Sequence, residues 1–138
     1  MQKILSEQTI ILKQLEEIPL AAALFEELAQ MYDIPSITVD QIRLIVLAIL
    51  RAINHASPPN HRHNGISLTF KLFDQGSLSI KMIYKGLAFN PFQRSIDHPA
   101  YFKDFRIDTF SLHLVRKYMT AWTYHRVLDY NIVYLSKR

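Results

Sequence analysis

The chain has 138 residues, a length typical of one domain that can bury a core. Hydrophobic residues make up 49% of it and charged residues 20%, which excludes a disordered chain, and the net charge of +4 is spread without a basic run. The absence of cysteine excludes disulfides, thiol catalysis and cysteine-based zinc sites. Since neither a signal peptide nor a membrane span is recognisable, we expect a cytoplasmic protein with a single domain over 1–138.

The first half of the chain predicts one strand followed by two helices. Segment 7–15 contains the short β-branched run Thr-Ile-Ile-Leu, which favours a strand. An amphipathic helix is expected over 19–31, where leucines recur at helical spacing after a proline. The capping-box signature from Thr38 to Gln41 predicts the start of a longer helix that ends near Ala56. Because this second helix is apolar on nearly all sides, other elements must cover it.

The second half of the chain predicts two hairpins with an irregular segment and a third helix between them. Alternating apolar and polar residues favour strands over 67–73 and 77–85, joined by a short turn. Segment 86–107 lacks periodicity and has the length of a lid or binding loop. A helix over 109–120 and a hairpin over 122–136 follow, with residues 129–131 as its turn. This order predicts an α+β two-layer sandwich, with about three helices on one face of a mixed, mostly antiparallel sheet.

Four stretches resemble motifs of the histidine-kinase-like ATPase superfamily, in its small branch of anti-sigma regulatory factors that act as serine kinases. Segment 47–56, Leu-Ala-Ile-Leu-Arg-Ala-Ile-Asn-His-Ala, is similar to the branch's Glu-Ala-x-x-Asn-Ala-x-x-His-Ala. Segment 84–91, Tyr-Lys-Gly-Leu-Ala-Phe-Asn-Pro, resembles Asp-x-Gly-x-Gly/Pro-Phe-Asp-Pro. Segment 108–119 resembles the branch's glycine-rich helix start, and 131–138 its final strand. The resemblance covers 15–138 and implies the fold of that superfamily.

The residues at the family's functional positions differ from those that the resemblance implies for an active site. Leu47 stands where a glutamate polarises the attacking group, and an alkyl chain cannot accept a proton. Arg51 stands where an asparagine ligates magnesium, and a guanidinium has no lone pair to offer. Tyr84 replaces the aspartate that binds adenine, while Gly86 is retained. The remaining positions of this degenerate nucleotide pocket are Ala88 and, in place of the glycines around the phosphates, Asp108, Thr109 and Ser111.

We therefore expect a regulatory pseudo-ATPase that acts by binding a protein, with no catalytic residue, no metal and no cofactor. The resemblance implies a sigma factor or an anti-anti-sigma-like protein as the partner, and a homodimer formed through the first strand and helix. The alternative is an ATP-binding serine-protein kinase with a rearranged site for ATP and magnesium, in which a carboxylate such as Asp97 or Asp104 is brought beside the pocket. Nucleic-acid binding ranks last, because no basic face emerges from the spacing, and no membrane contact is expected.

Several polar residues have two interpretations each. Arg51 could hold an anionic ligand without metal, but we favour an arginine that reaches solvent or pairs with a nearby acid. His61 and His63 could bind a metal, but a solvated loop is favoured. His55 is expected to pack or cap near the helix end rather than to act in catalysis. Tyr84 is expected to fill the volume that an adenine ring would occupy.

Overall fold

The structure is a computed structural model, and it describes residues 3–56, 65–92 and 105–138. A sheet of five strands and three α-helices account for most of these residues. In chain order the elements are β1 (Ile4–Leu12), α1 (Ile18–Met31), α2 (Ser36–Ala56), β2 (Ile66–Phe73), β3 (Leu78–Lys85), α3 (Phe105–Tyr118), β4 (Ala121–Val127) and β5 (Tyr130–Lys137). The expected α+β architecture is confirmed.

The strands form one sheet in the order β1-β2-β3-β5-β4, and all four pairings are antiparallel. The expectation of a mixed sheet is therefore wrong. The connection through α1 and α2 returns the chain to the end of the sheet where β1 finishes. As a result Leu12 at the end of β1 lies opposite Ile66 at the start of β2, and the two strands run in opposite directions.

Helix α2 lies at the centre of the core, as its apolar sequence predicts. Ile42, Ile45 and Ile49 are each 0% exposed. They belong to one cluster with side chains of α1, α3 and one face of the sheet. The sheet residues of this cluster alternate along the strands, as period-2 side-chain placement requires; they include Leu68, Phe70, Ile80, Met82, Val133 and Leu135. The helices therefore cover one face of the sheet.

Helix α2 begins two residues before its predicted capping box. It starts at Ser36, and the backbone N–H of Val39 donates to the carbonyl of Pro35 at 3.1 Å. The fixed φ of a proline suits a helix entry, so Thr38 and Gln41 fall inside the helix instead of capping it. The Gln41 side chain accepts a hydrogen bond from Lys137 Nζ at 3.3 Å. Helix α3 likewise begins at Phe105, which shortens the predicted irregular segment. No helix in the described ranges is long and apolar enough to cross a membrane.

Candidate functional site

The residues predicted to form a degenerate nucleotide pocket occupy different surroundings. Leu47 is half-buried on α2 and lines a cavity between α1 and α2. Arg51 is exposed one turn further along, and no ion pair among the described residues involves it. Tyr84 is buried at the end of β3, followed by Gly86 and the exposed Ala88. Arg51 therefore reaches solvent, one of the two arrangements expected for it; the other, a pair with an acid such as Asp108 or Asp97, involves side chains outside the described residues.

The other predicted positions cannot be placed against Tyr84. Asp108, Thr109 and Ser111 fall within α3, and their side chains lie outside the part of the chain that the structure describes. The same is true of the loop residues that carried the alternative interpretations, namely His61, His63, Asp97 and Asp104. Predictions that depend on these side chains stay predictions.

A buried asparagine on β5 organises the end of the sheet where β3 finishes. Asn131 is 0% exposed, and its side-chain amide donates to the carbonyl of Tyr84 at 3.2 Å and to that of Leu87 at 3.1 Å. Its Oδ1 accepts from the Phe89 backbone N–H at 3.1 Å, from Arg126 Nη1 at 3.2 Å and from the Tyr124 hydroxyl. Every polar atom of this side chain is therefore engaged, as burial requires.

The segment that follows β3 is held against the sheet by further hydrogen bonds from the side chains around Asn131. The Tyr84 hydroxyl donates to the Phe89 carbonyl at 2.6 Å, and Arg126 Nη1 donates to the Gly86 carbonyl at 2.6 Å. Gly86 has φ +136°, in the region that favours glycine, and its N–H donates to the carbonyl of Asp129 at 2.9 Å. The glycine at position 86 is therefore explained by the local backbone, which turns away at the end of β3.

The Tyr84 phenol acts as a hydrogen-bond donor and not as a base. Burial raises the pKa of Tyr84 well above its usual value, the nearby Tyr124 raises it further, and Arg126 opposes the shift. The hydroxyl therefore stays protonated across the physiological range. In the described ranges no group of three or more histidine, aspartate or glutamate side chains is placed to hold a metal. The cluster around Asn131 is built to position the segment 86–92.

Sequence reasoning placed Asn131 in a turn and missed this role. The signal is present in the strand itself: Asn131 is in phase with Val133 and Leu135, which are 0% and 1% exposed. Period-2 alternation therefore directs the asparagine side chain to the helix-covered face. A polar residue at such a position must find hydrogen bonds inside the protein.

A cavity of about 270 Å³ opens to solvent between α1 and α2. Among its lining residues only Arg43 has a polar side chain, and the apolar ones include Ile18, Ala22, Phe25, Val46, Leu47 and Phe70. Phe25 and Phe70 lie at the buried end, with their ring centroids 5.2 Å apart. Arg43 forms an ion pair with Glu26, and its Nη1 lies 3.9 Å from Asp40 Oδ1. The side chains of Arg43 and Glu26 are both partly exposed. The cavity is therefore apolar inside with charged side chains beside it.

A second cavity, of about 340 Å³, lies between the α1–α2 connection and the β2–β3 turn. It is lined by charges of both signs, since Asp33 and Asp74 face it together with Lys137 and Arg138. Lys137 Nζ already donates to the Tyr118 carbonyl at 2.7 Å. The mixed charges and this internal bond give the second cavity no clear ligand preference.

The comparisons with known proteins give one informative result, a shared fold. No protein-family model matches the chain, and no curated protein matches it either. Among solved structures, the chain is similar to a chain of the SiaB–SiaC complex from Pseudomonas aeruginosa. The TM-score is 0.71 at 10% sequence identity, and the match covers 98% of this chain and 90% of that chain. At this identity the similarity shows a common architecture and carries no activity with it.

The resemblance to the anti-sigma branch of the histidine-kinase-like ATPases is wrong as an assignment of family. No family model supports it, and a solved structure that shares the fold is a chain of the SiaB–SiaC complex. The similarity in segment 47–56 rests on four matching residues, Ala48, Ala52, His55 and Ala56. Ala52 is 2% exposed and the other two alanines are half-buried, so the packing of α2 favours small residues there, whereas His55 is exposed. Packing therefore accounts for the three alanines but not for the histidine.

Proposed function

We propose that this chain is a regulatory module that acts by binding another protein. The observation that carries the proposal is the solvent-open apolar cavity between α1 and α2. An apolar pocket beside partly exposed charged residues is typical of protein interfaces, where one inserted side chain supplies much of the binding energy. At about 270 Å³ the cavity is smaller than most sites for drug-sized ligands, which favours an inserted side chain.

The comparison with solved structures supports a protein as the occupant. The shared fold occurs in a complex of two proteins, SiaB and SiaC. A sigma factor or an anti-anti-sigma-like protein was implied by the family resemblance alone, so neither has independent support now. A homodimer would also occupy the cavity with a protein side chain, and the mass of the purified chain in solution distinguishes that case from a different partner.

Filling the cavity is expected to abolish partner binding while leaving the fold intact. In an Ala22→Phe variant the added ring would occupy the space between α1 and α2, because Ala22 lines the cavity and is half-buried. Quantitative affinity capture with the wild-type chain and with the variant measures the effect. We expect proteins retained by the wild type to fall by about tenfold or more, the loss of roughly 1.4 kcal/mol or more of binding free energy.

The neighbouring residue supplies the matched control. Ala23 is exposed and does not line the cavity, so Ala23→Phe makes the same substitution outside the proposed site. A thermal melt of both variants establishes that each is folded. If Ala23→Phe and Ala22→Phe lose the same proteins, or if neither loses any, the cavity is not the binding site.

We also expect the chain not to bind ATP in a magnesium-dependent way. Leu47 faces an apolar cavity, the Arg51 guanidinium has no lone pair for a cation, and the Tyr84 hydroxyl is bonded to the Phe89 carbonyl at 2.6 Å. Calorimetric titration with ATP and ADP, with and without magnesium, tests this expectation. Binding that needs no metal and disappears in Arg51→Ala would instead support the other interpretation of that residue, an arginine that holds an anionic ligand without metal.

A further inference from the structure

The face of the sheet opposite the helices carries a compact group of side chains on β3 and β5. The register places Lys81 opposite Tyr134, Ile83 opposite Ile132 and Lys85 opposite Tyr130. All six alternate with core residues of the same strands, so they lie on the face that the helices do not cover. We call these six residues the open-face patch.

The patch combines an apolar centre with aromatic and basic side chains around it. Ile83 and Ile132 are half-buried in its middle, whereas Tyr130 and Tyr134 are 45% and 43% exposed. Lys81 Nζ lies 6.0 Å from the centroid of the Tyr134 ring, close enough for a cation–π interaction. Tyrosine is enriched in protein-binding surfaces because it offers a large contact area and a polar group.

The patch also has an unbalanced positive charge. The five strands contain one carboxylate, Glu7, and Lys71 already holds it at 3.6 Å. No ion pair in the described part of the chain involves Lys81 or Lys85. A partner that brings carboxylates to this face would therefore find complementary charge, which favours association and orients it.

We propose that the open-face patch docks an acidic protein segment whose apolar side chains pack on Ile83 and Ile132. The inference rests on the proposed protein-binding function and adds a second contact surface with a stated chemistry. Single-stranded nucleic acid fits less well, since the Tyr134 ring is approached by Lys81 and by His125, whose ring centroid is 6.4 Å away. Such contacts leave less of the ring free to stack on a base.

The test uses a fluorescently labelled random copolymer of glutamate and tyrosine as the acidic probe, followed by anisotropy. We expect the wild-type chain to bind it, and the double variant Lys81→Glu/Lys85→Glu to bind about tenfold more weakly, because two charge attractions are lost and the reversed charges repel the probe. Tyr134→Ser, which leaves the charge unchanged, is expected to weaken binding as well. Circular dichroism of each variant confirms that the fold is retained.

The matched control is Arg116→Glu/Lys117→Glu, which makes the same charge change on exposed residues of α3, in the other layer. It should bind the copolymer like the wild type. Equal weakening by both double variants, or no binding by the wild type, would overturn the proposal. Tighter binding of a labelled oligothymidylate would assign the patch to nucleic acid instead, and a change of oligomeric state in the patch variants would assign it to a second copy of the chain.

The cavity and the patch can be tested separately because the sheet lies between them. Ala22→Phe should bind the acidic copolymer like the wild type, since its substitution is confined to the α1–α2 cavity. A failed copolymer test would thus not contradict the proposal that the cavity binds a protein. Loss of copolymer binding in Ala22→Phe would show that the two surfaces are not independent, which also contradicts the proposal.

Discussion

Replacing Asn131 by alanine is expected to lower the free energy of unfolding by about 3 kcal/mol or more. The substitution removes five hydrogen bonds at a position that is 0% exposed. The carbonyls of Tyr84 and Leu87 then lose a donor, and the N–H of Phe89 loses its acceptor. Buried groups left without partners cost about 1–3 kcal/mol each, although those nearest the surface regain water. Urea unfolding of wild type and variant measures the difference.

Two further variants separate the contributions of individual Asn131 hydrogen bonds to the free energy of unfolding. Tyr124→Phe removes one donor to Asn131 and should lower the free energy of unfolding by only about 1 kcal/mol. Asn131→Asp keeps the acceptor but sets a buried carboxylate oxygen against the carbonyls of Tyr84 and Leu87, so it should lower the free energy of unfolding at least as much as Asn131→Ala. If Asn131→Ala costs no more than Tyr124→Phe, the network does not hold the segment 86–92 in the way described.

Replacing Phe70 by alanine is expected to cost about 3–5 kcal/mol of the free energy of unfolding, the range for a large aromatic residue in a core. Phe70 is 1% exposed and stacks on Phe25, and it lies at the buried end of the α1–α2 cavity. Since the ring borders the cavity, fewer packed side chains are available on that side to close over the space that it leaves. Thermal and urea unfolding report the loss.

The control for Phe70 lies on the same strand. Phe73 is half-buried at the end of β2 and does not line the α1–α2 cavity, so Phe73→Ala removes the same ring with less burial. We expect it to cost less than half as much as Phe70→Ala. Equal costs for both variants would mean that the Phe25–Phe70 stack is not a main support of the packing between α1 and the sheet.

The architecture followed from the sequence because each element carries its own periodic signal. The apolar run around Ile45 predicts a buried helix, and the alternation from Leu78 to Tyr84 predicts a half-buried strand. The direction of β1 relative to β2 could not be predicted from the sequence in the same way. The two strands are joined through two helices, and their pairing depends on where that connection returns to the sheet. The spacing of apolar residues within each element does not determine where such a long connection brings the chain back to the sheet.

The candidate sites could be predicted less well than the fold, because they depend on residues brought together from distant parts of the chain. The cavity needs Ala22 of α1 beside Leu47 of α2, and the open-face patch needs Lys81 beside Tyr134, a pairing set by the β3–β5 register. Lys81 and Lys85 share a face because they lie four residues apart on β3, whereas the β3–β5 register brings Tyr134 and Tyr130 beside them. The family resemblance failed for a related reason, since buried helices draw on few residue types and resemble one another by chance.

The strand order also has a consequence for the time course of synthesis. β5 is the last strand of the sheet to leave the ribosome, but it lies between β3 and β4 and pairs with both. Until residues 130–137 have emerged, β3 keeps an unpaired edge, and Ile80 and Met82 lack the neighbours that β5 brings to the core. The nascent chain therefore exposes an apolar, unpaired strand edge until residues 130–137 have emerged, and during that time aggregation competes with folding.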